Sequence, residues 1–344
     1  MYRVLIPRVL VAWLAFLLLP LFWLPAAKAA LPQIVVALPG PLVAPFLPLE
    51  LIARDGLDRK HGFVLTLRHF PGGPLALKDM VEGNSHFAGL GMPALAGIRL
   101  TNPDLVSVAV LTDLPAYALL VRQDLKSRIR KIADLRGHNI GTHSGSKQGK
   151  STARQMAEFL LLRRGVALED VNFVNAGQNL ADYGAALRSG QVDAIVVNEP
   201  AASLLVHQKL AWCLVDLHDP KDAKAYLGGR FLYTQVAASR SALAQQPESA
   251  RLLVNALQDS LRWMASHSAR DIVQHLNLPD GEEKQALQAF LTDHKGIYST
   301  RGAFGAEAVA NSQAFFYAVN GQDPAALQLR YTDFIDSRWS GRGR

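Results

Sequence analysis

The chain is short of cysteine, of one-sided charge and of repetition, and each shortage narrows what it can be. A single cysteine, Cys213, stands among 344 residues, so no disulfide can close within the chain. It lies in the apolar segment 211–215 and is expected to be a buried core residue. No cysteine borders the cleavage site described below, so a lipid anchor is not expected there. Lys and Arg outnumber Asp and Glu by 36 to 29, but the excess forms no run, and nucleic acid is not an expected partner. The chain holds no internal repeat and no low-complexity segment. Its histidines are scattered: His138 and His143 are five apart, and neither an H-E-x-x-H motif nor a compact metal cluster is readable. No metal and no cofactor are therefore expected.

What is present begins with a targeting segment. Arg3 and Arg8 precede an apolar run from Val9 to Leu24, and Ala27-Lys28-Ala29 then supplies an A-x-A cleavage site. The run is short for a membrane span of about 20 residues, and Pro20 interrupts it. Retention of the segment as an anchor is the alternative. Cleavage after Ala29 would remove three cations and no acid, lowering the formal net charge from +7 to +4. Export without disulfides suits a bacterial periplasm and a core large enough to stand without staples.

From Ile34 onward the pattern is strand, loop, helix, repeated. Strands are expected at 34–38, 63–70, 86–90, 105–111 and 117–121, then at 139–142, 171–175, 194–198 and 233–238. Short helices fall between them, and the texture becomes helical after residue 247. There Leu253, Leu257, Leu261 and Met264 share one face. Alternation of this kind implies parallel βαβ units, with ligands at the carboxyl ends of the strands. The loops after those ends carry Pro41, Gly91, Met92 and Tyr117 in the first half, and Asn198 and Glu199 in the second. The chain is expected to cross near 117–122 and again near 233–239, giving two lobes and a hinged cleft. The expected parts are a signal peptide at 1–29, a first lobe at 30–118, a second at 119–234, and completion of the first with C-terminal helices at 235–344.

The stretch 139–165 is the centre of this arrangement. A short strand runs into Ser144-Gly145-Ser146-Lys147-Gln148-Gly149-Lys150-Ser151 and then a helix marked by Ala153, Met156, Ala157, Leu160 and Leu161. Thr152 and Gln155 have capping-box spacing, and Gly165 is a candidate C-cap. A loop entering a helix aims unpaired N–H groups and a positive dipole end at one point, which suits an anion. Lys147 and Lys150 each oppose that dipole by about 0.3–1 kcal/mol. Either an anion binds there or both lysines face water. Ser144, Gly145, Ser146, Lys147, Gln148 and Ser151 are accordingly candidate ligand residues.

The order of pieces along the chain resembles a family. Lys131–Gly141 (KIADLRGHNIG), Gly145-Ser146, Ala186–Ala194 (ALRSGQVDA) and Glu199-Pro200 resemble segments of periplasmic ABC-transporter substrate-binding proteins. The branch is that of nitrate, sulfonate, taurine and thiamine-pyrimidine binders. Gly62-Phe63-Val64, Val81–Gly91 and Val108–Asp124 agree with it in the first lobe. The resemblance implies an α/β, type II periplasmic-binding-protein fold. It implies a binder, not an enzyme, that takes a small anionic or zwitterionic solute and delivers it to an ABC permease in the inner membrane. It further implies a monomer. Two departures lie where the ligand should sit: the loop after Gly145-Ser146 is longer and more basic than usual, and Asn198 replaces an aromatic before Glu-Pro.

Other motifs fit less well. Ser144–Ser151 is one residue from a phosphate-binding loop, but export separates it from nucleoside triphosphates. Ser144 and Lys147 have S-x-x-K spacing, without the companion elements that serine acyl-transfer enzymes require. An enzyme on the same two-lobed fold could use Glu199, Asp113 or Asp182 as a general base. An exported sensory domain is the third alternative.

Overall fold

Ten strands form two sheets of five, in a computed structural model that describes residues 30–143, 150–177 and 179–341. In chain order the strands are β1 (Gln33–Pro39), β2 (Val64–Phe70), β3 (Phe87–Gly91), β4 (Leu105–Thr112) and β5 (Tyr117–Arg122). Then follow β6 (Asn139–Thr142), β7 (Asn172–Asn175), β8 (Ala194–Asn198), β9 (Ala211–Asp216) and β10 (Thr234–Ser239). The first sheet has the order β2-β1-β3-β10-β4 and the second β7-β6-β8-β5-β9. The chain passes between them through residues 113–116 and returns through 217–233. The signal-peptide segment expected at 1–29 and the loop 144–149 lie outside the described residues.

The sheets are mixed, not purely parallel as the strand–helix alternation implied. β10 is antiparallel to both β3 and β4, and β5 to both β8 and β9. Each of these two is the first strand after a crossing. The other strands end at the cleft, so a strand entered from the cleft must run away from it.

β5 shows how both faces of the second sheet become buried. Leu119 and Val121 belong to the main core, while Ala118 and Leu120 join a smaller cluster with Tyr183, Leu187 and Val197. The main core runs through both lobes. Its bridge is the helix Thr152–Leu162, which buries Met156, Phe159 and Leu160. Phe159 lies 4.7 Å from Phe315, whose ring also meets Phe231 of the return crossing at 5.1 Å. The long helix Pro247–Ser266 buries Leu253, Leu257, Leu261 and Met264, as its periodicity predicts. Burial of each such side chain is worth about 1.5–3 kcal/mol. Ser260 anchors it by donating to the Pro48 carbonyl at 2.7 Å.

Two local expectations need correction. Cys213 is exposed, because β9 is an edge strand of the second sheet. The helix after the basic loop is capped by Ser151, not Thr152: the Ser151 hydroxyl accepts from the Arg154 N–H at 3.2 Å. Gly165 does take the left-handed conformation just beyond that helix, with φ of 68°. Among the described residues no helix is long and apolar enough to cross a membrane.

Candidate functional site

The carboxyl ends of β1, β3, β6 and β8 open onto one cavity of about 900 Å³. Six helices bring their first turns to its wall: Gly73–Val81, Met92–Arg99, Thr152–Leu162, Leu180–Ser189, Ala201–His207 and Glu282–His294. The first N–H groups of a helix have no partner within it, and its dipole is positive at that end. Such turns favour negative charge, while Glu199, Asp280, Glu282 and Glu283 on the same wall favour positive charge, so the lining carries both signs.

Aromatic side chains make the inner part of that wall. Tyr183 and His143 stack with rings 5.6 Å apart, and their Oη and Nε2 atoms are hydrogen-bonded at 2.9 Å. Tyr117 meets Tyr233 edge-on at 5.2 Å, and the Tyr233 hydroxyl donates to Asn198 Oδ1. Burial pushes the Tyr117 phenol up to about 12 and also raises those of Tyr183 and Tyr233 well above the usual phenol range. Burial also lowers the His143 imidazole to about 4. The group is thus a set of neutral donors and acceptors at neutral pH. Such groups can orient an anion without neutralising it.

The residues singled out from the sequence fall in three places. Pro41, Gly91, Tyr117, Ser151, Asn198 and Glu199 line the cavity. Met92 is fully buried beside it, and its N–H donates to the Tyr233 carbonyl at 2.8 Å. Ser144, Gly145, Ser146, Lys147 and Gln148 lie outside the described residues. Ser151 is already engaged, capping its helix and donating to the His143 carbonyl at 3.0 Å. Of the candidate bases, Asp113 is paired with Arg230 at 2.6 Å. Asp182 accepts from Asn179 at 2.9 Å in the first turn of its helix. Glu199 is buried beside His218, and its carboxyl is raised by that burial.

Lys150 has a structural partner. Its Nζ sits 2.8 Å from Oε2 of the fully buried Glu158, whose Oε1 takes Arg154 Nε at 2.6 Å. Lys150→Ala is expected to lower the unfolding free energy by about 1–2 kcal/mol, the half-exposed lysine being partly screened. Urea unfolding measures this, and an unchanged midpoint would free Lys150 for the ligand.

The lobes meet at the wall of this cavity, which Gly91 and Thr152 both line. A Cβ placed on Gly91 would lie 2.0 Å from Thr152 Oγ1 and 2.9 Å from Thr152 Cβ. Beside this contact, Gln155 donates to the Pro93 carbonyl at 3.1 Å, from the second lobe to the first. His143, Tyr183 and Tyr233 were not singled out as site residues. Nothing in the sequence links them: they come from the end of β6, the helix Leu180–Ser189 and the residue before β10, and the fold brings them together. The one available signal was position: His143 directly follows β6 and Tyr233 directly precedes β10.

Residues 61–270 match the NMT1/THI5-like family. No sequence relative is found among curated proteins. Among solved structures, a protein of Bordetella bronchiseptica RB50 has a TM-score of 0.79 and 22% identity, over 90% of this chain and 95% of that one. The alkanesulfonate-binding protein SsuA of Xanthomonas axonopodis pv. citri, bound to MOPS, has a TM-score of 0.70 and 19% identity, over 90% and 99%. The periplasmic nitrate-binding protein NrtA of Synechocystis PCC 6803 has a TM-score of 0.66 and 14% identity, over 89% and 86%. At these identities the likeness is one of fold.

Proposed function

The chain belongs to the NMT1/THI5-like family, and from that premise we propose that it is an exported solute-binding protein that hands a small organic anion or zwitterion to an ABC permease. The observation that carries this reading is the convergence of six helix first turns and a neutral aromatic wall on one cavity between lobes. Glu199, Asp280, Glu282 and Glu283 on the same lining suit the cationic end of a zwitterion. Size narrows the ligand. A space of about 900 Å³ is in the range of organic-ligand pockets and far exceeds an inorganic anion such as nitrate. Apolar side chains at Phe46, Phe70, Leu180, Leu204 and Leu287 suit a carbon skeleton behind the charged head. Gly145, Ser146 and Lys147 complete the anion site in this reading, and residues 1–29 direct export to the periplasm.

Thermal melting with a panel of alkyl and aryl sulfonates, phosphonates, amino-sulfonates and thiamine precursors tests the proposal. A ligand at a hundred times its Kd stabilises by about 2.7 kcal/mol, a rise of several degrees for a chain of this size. The ligand should be recovered unchanged after incubation. A panel that leaves the melt unmoved overturns the ligand class. A converted ligand would instead make Glu199, with its raised carboxyl, a general acid or base.

A further inference from the structure

Behind the cleft wall, three side chains from distant parts of the sequence meet. Asp216 ends β9, His218 opens the return crossing, and His294 ends the helix Glu282–His294. One ligand atom from each lies within 4.8 Å of the other two. Two imidazoles and a carboxylate at such separations match a three-ligand metal site, where donors about 2.0–2.1 Å from a tetrahedral ion sit roughly 3.3 Å apart.

The details of His218 point the same way. The residue is buried, and its Nδ1 has no hydrogen-bond partner. Yet Nδ1 lies only 2.8 Å from Asp216 Oδ1, off the line that a ring N–H would need. In the tautomer with its proton on Nε2, His218 turns the Nδ1 lone pair towards that carboxylate oxygen, and a cation held by both would relieve their repulsion. The surroundings fix both groups. The His218 and Asp219 N–H groups donate to Asp216 Oδ1 at 3.1 and 3.2 Å. Phe290, one turn before His294, meets the His218 ring edge-on at 5.2 Å, and the His218 and His294 rings are 4.3 Å apart. On the far side of His218, Nε2 faces Glu199 Oε1 at 3.7 Å. A ligating imidazole commonly turns its other nitrogen to a carboxylate; here that contact is of ion-pair length and longer than a hydrogen bond.

We propose that Asp216, His218 and His294 bind one divalent first-row metal ion of the zinc class, with Glu199 positioning His218 from behind. The nitrogen-rich donor set selects zinc, cobalt or nickel over magnesium and calcium, which prefer oxygen. The ion would tie the return crossing to the helix Glu282–His294, which also contributes Leu287 to the cavity wall.

The test uses the full chain without a polyhistidine tag, dialysed against a chelator and titrated with Co2+. One equivalent should bind, with the visible absorption of cobalt in a nitrogen-containing, low-coordinate site, and should raise the melting temperature. Mg2+ should do neither. His294→Ala and Asp216→Asn should each lose more affinity than Glu199→Gln, for which roughly a 10- to 100-fold loss is expected. His218→Ala can disturb the buried packing by itself, so the other three variants carry the test. The proposal is overturned if the parent binds no Co2+, if Mg2+ stabilises equally, or if His294→Ala binds Co2+ as the parent does.

Discussion

Gly91→Ala is expected to force the lobes apart and weaken ligand binding about five- to 150-fold, with the individual lobes intact. The backbone at Gly91 has φ of −69°, which alanine adopts freely, so the obstacle is space and not strain. The new methyl would overlap Thr152 at its Cβ as well as its hydroxyl. A rotamer change moves the hydroxyl but not the Cβ, so the backbone of one lobe must shift. Overpacking of this kind costs about 1–3 kcal/mol, which converts to the stated range of affinity. The cost falls on the closed arrangement, because Gly91 and Thr152 belong to opposite lobes. Small-angle scattering should show a larger radius of gyration at saturating ligand than in the parent. Thr152→Gly removes the obstructing atoms and should recover part of the loss in the double variant. A Gly91→Ala protein that closes and binds as the parent does would mean that this contact does not govern closure.

The second large effect is a dependence of stability on pH that runs through His143. Its imidazole titrates near 6.5 when exposed and is lowered to about 4 in the folded chain by burial. Between those values the unfolded chain takes up a proton that the folded chain refuses, so stability falls as pH falls. Above 6.5 the two states bind equally and nothing is lost. Integrated from pH 7 to pH 5, the loss is about 2 kcal/mol, approaching about 3 kcal/mol near pH 4. His143→Gln keeps a hydrogen-bonding end beside Tyr183 and removes the titration. Urea unfolding at pH 7 and pH 5 should show a smaller drop for the variant than for the parent, by about 2 kcal/mol. Equal drops would show that His143 titrates normally in the folded state.

Much of this architecture was legible because it depends on period and punctuation. The helices Thr152–Leu162 and Pro247–Ser266 announce themselves by apolar spacing, and the structure buries those same faces. Strand direction has no such signature, so the reversal of β5 and β10 could not be read. Nor could the exposure of Cys213, since an edge strand and a central one share the same apolar alternation. The site divides along the same line. Pro41, Gly91, Asn198 and Glu199 were reachable because they follow strand ends in sequence. Tyr183 belongs to a helix and no strand end marks it, while Tyr233 had only its place before β10. Asp216, His218 and His294 fall between these cases. Two stand two residues apart in sequence, but the third arrives on a helix far along the chain, so no spacing rule reaches it. Lys150 has the reverse history: its position suggested an anion, while its partner, Glu158, lay two turns into the helix that follows.

The place of β10 in the first sheet has a consequence for how the chain assembles. It lies between β3 and β4, yet it is made only after the whole second sheet. Until it arrives, β3 and β4 have no neighbour between them, and each presents a bare apolar edge. The first lobe is therefore begun and completed by segments on either side of the second, which is an excursion inside it. Pairings of such long sequence separation are slow to form, because the intervening chain must be closed into a loop before any of them is rewarded. The second lobe has no such debt: β5 to β9 are contiguous, and it can condense while the first is still waiting for its central strand.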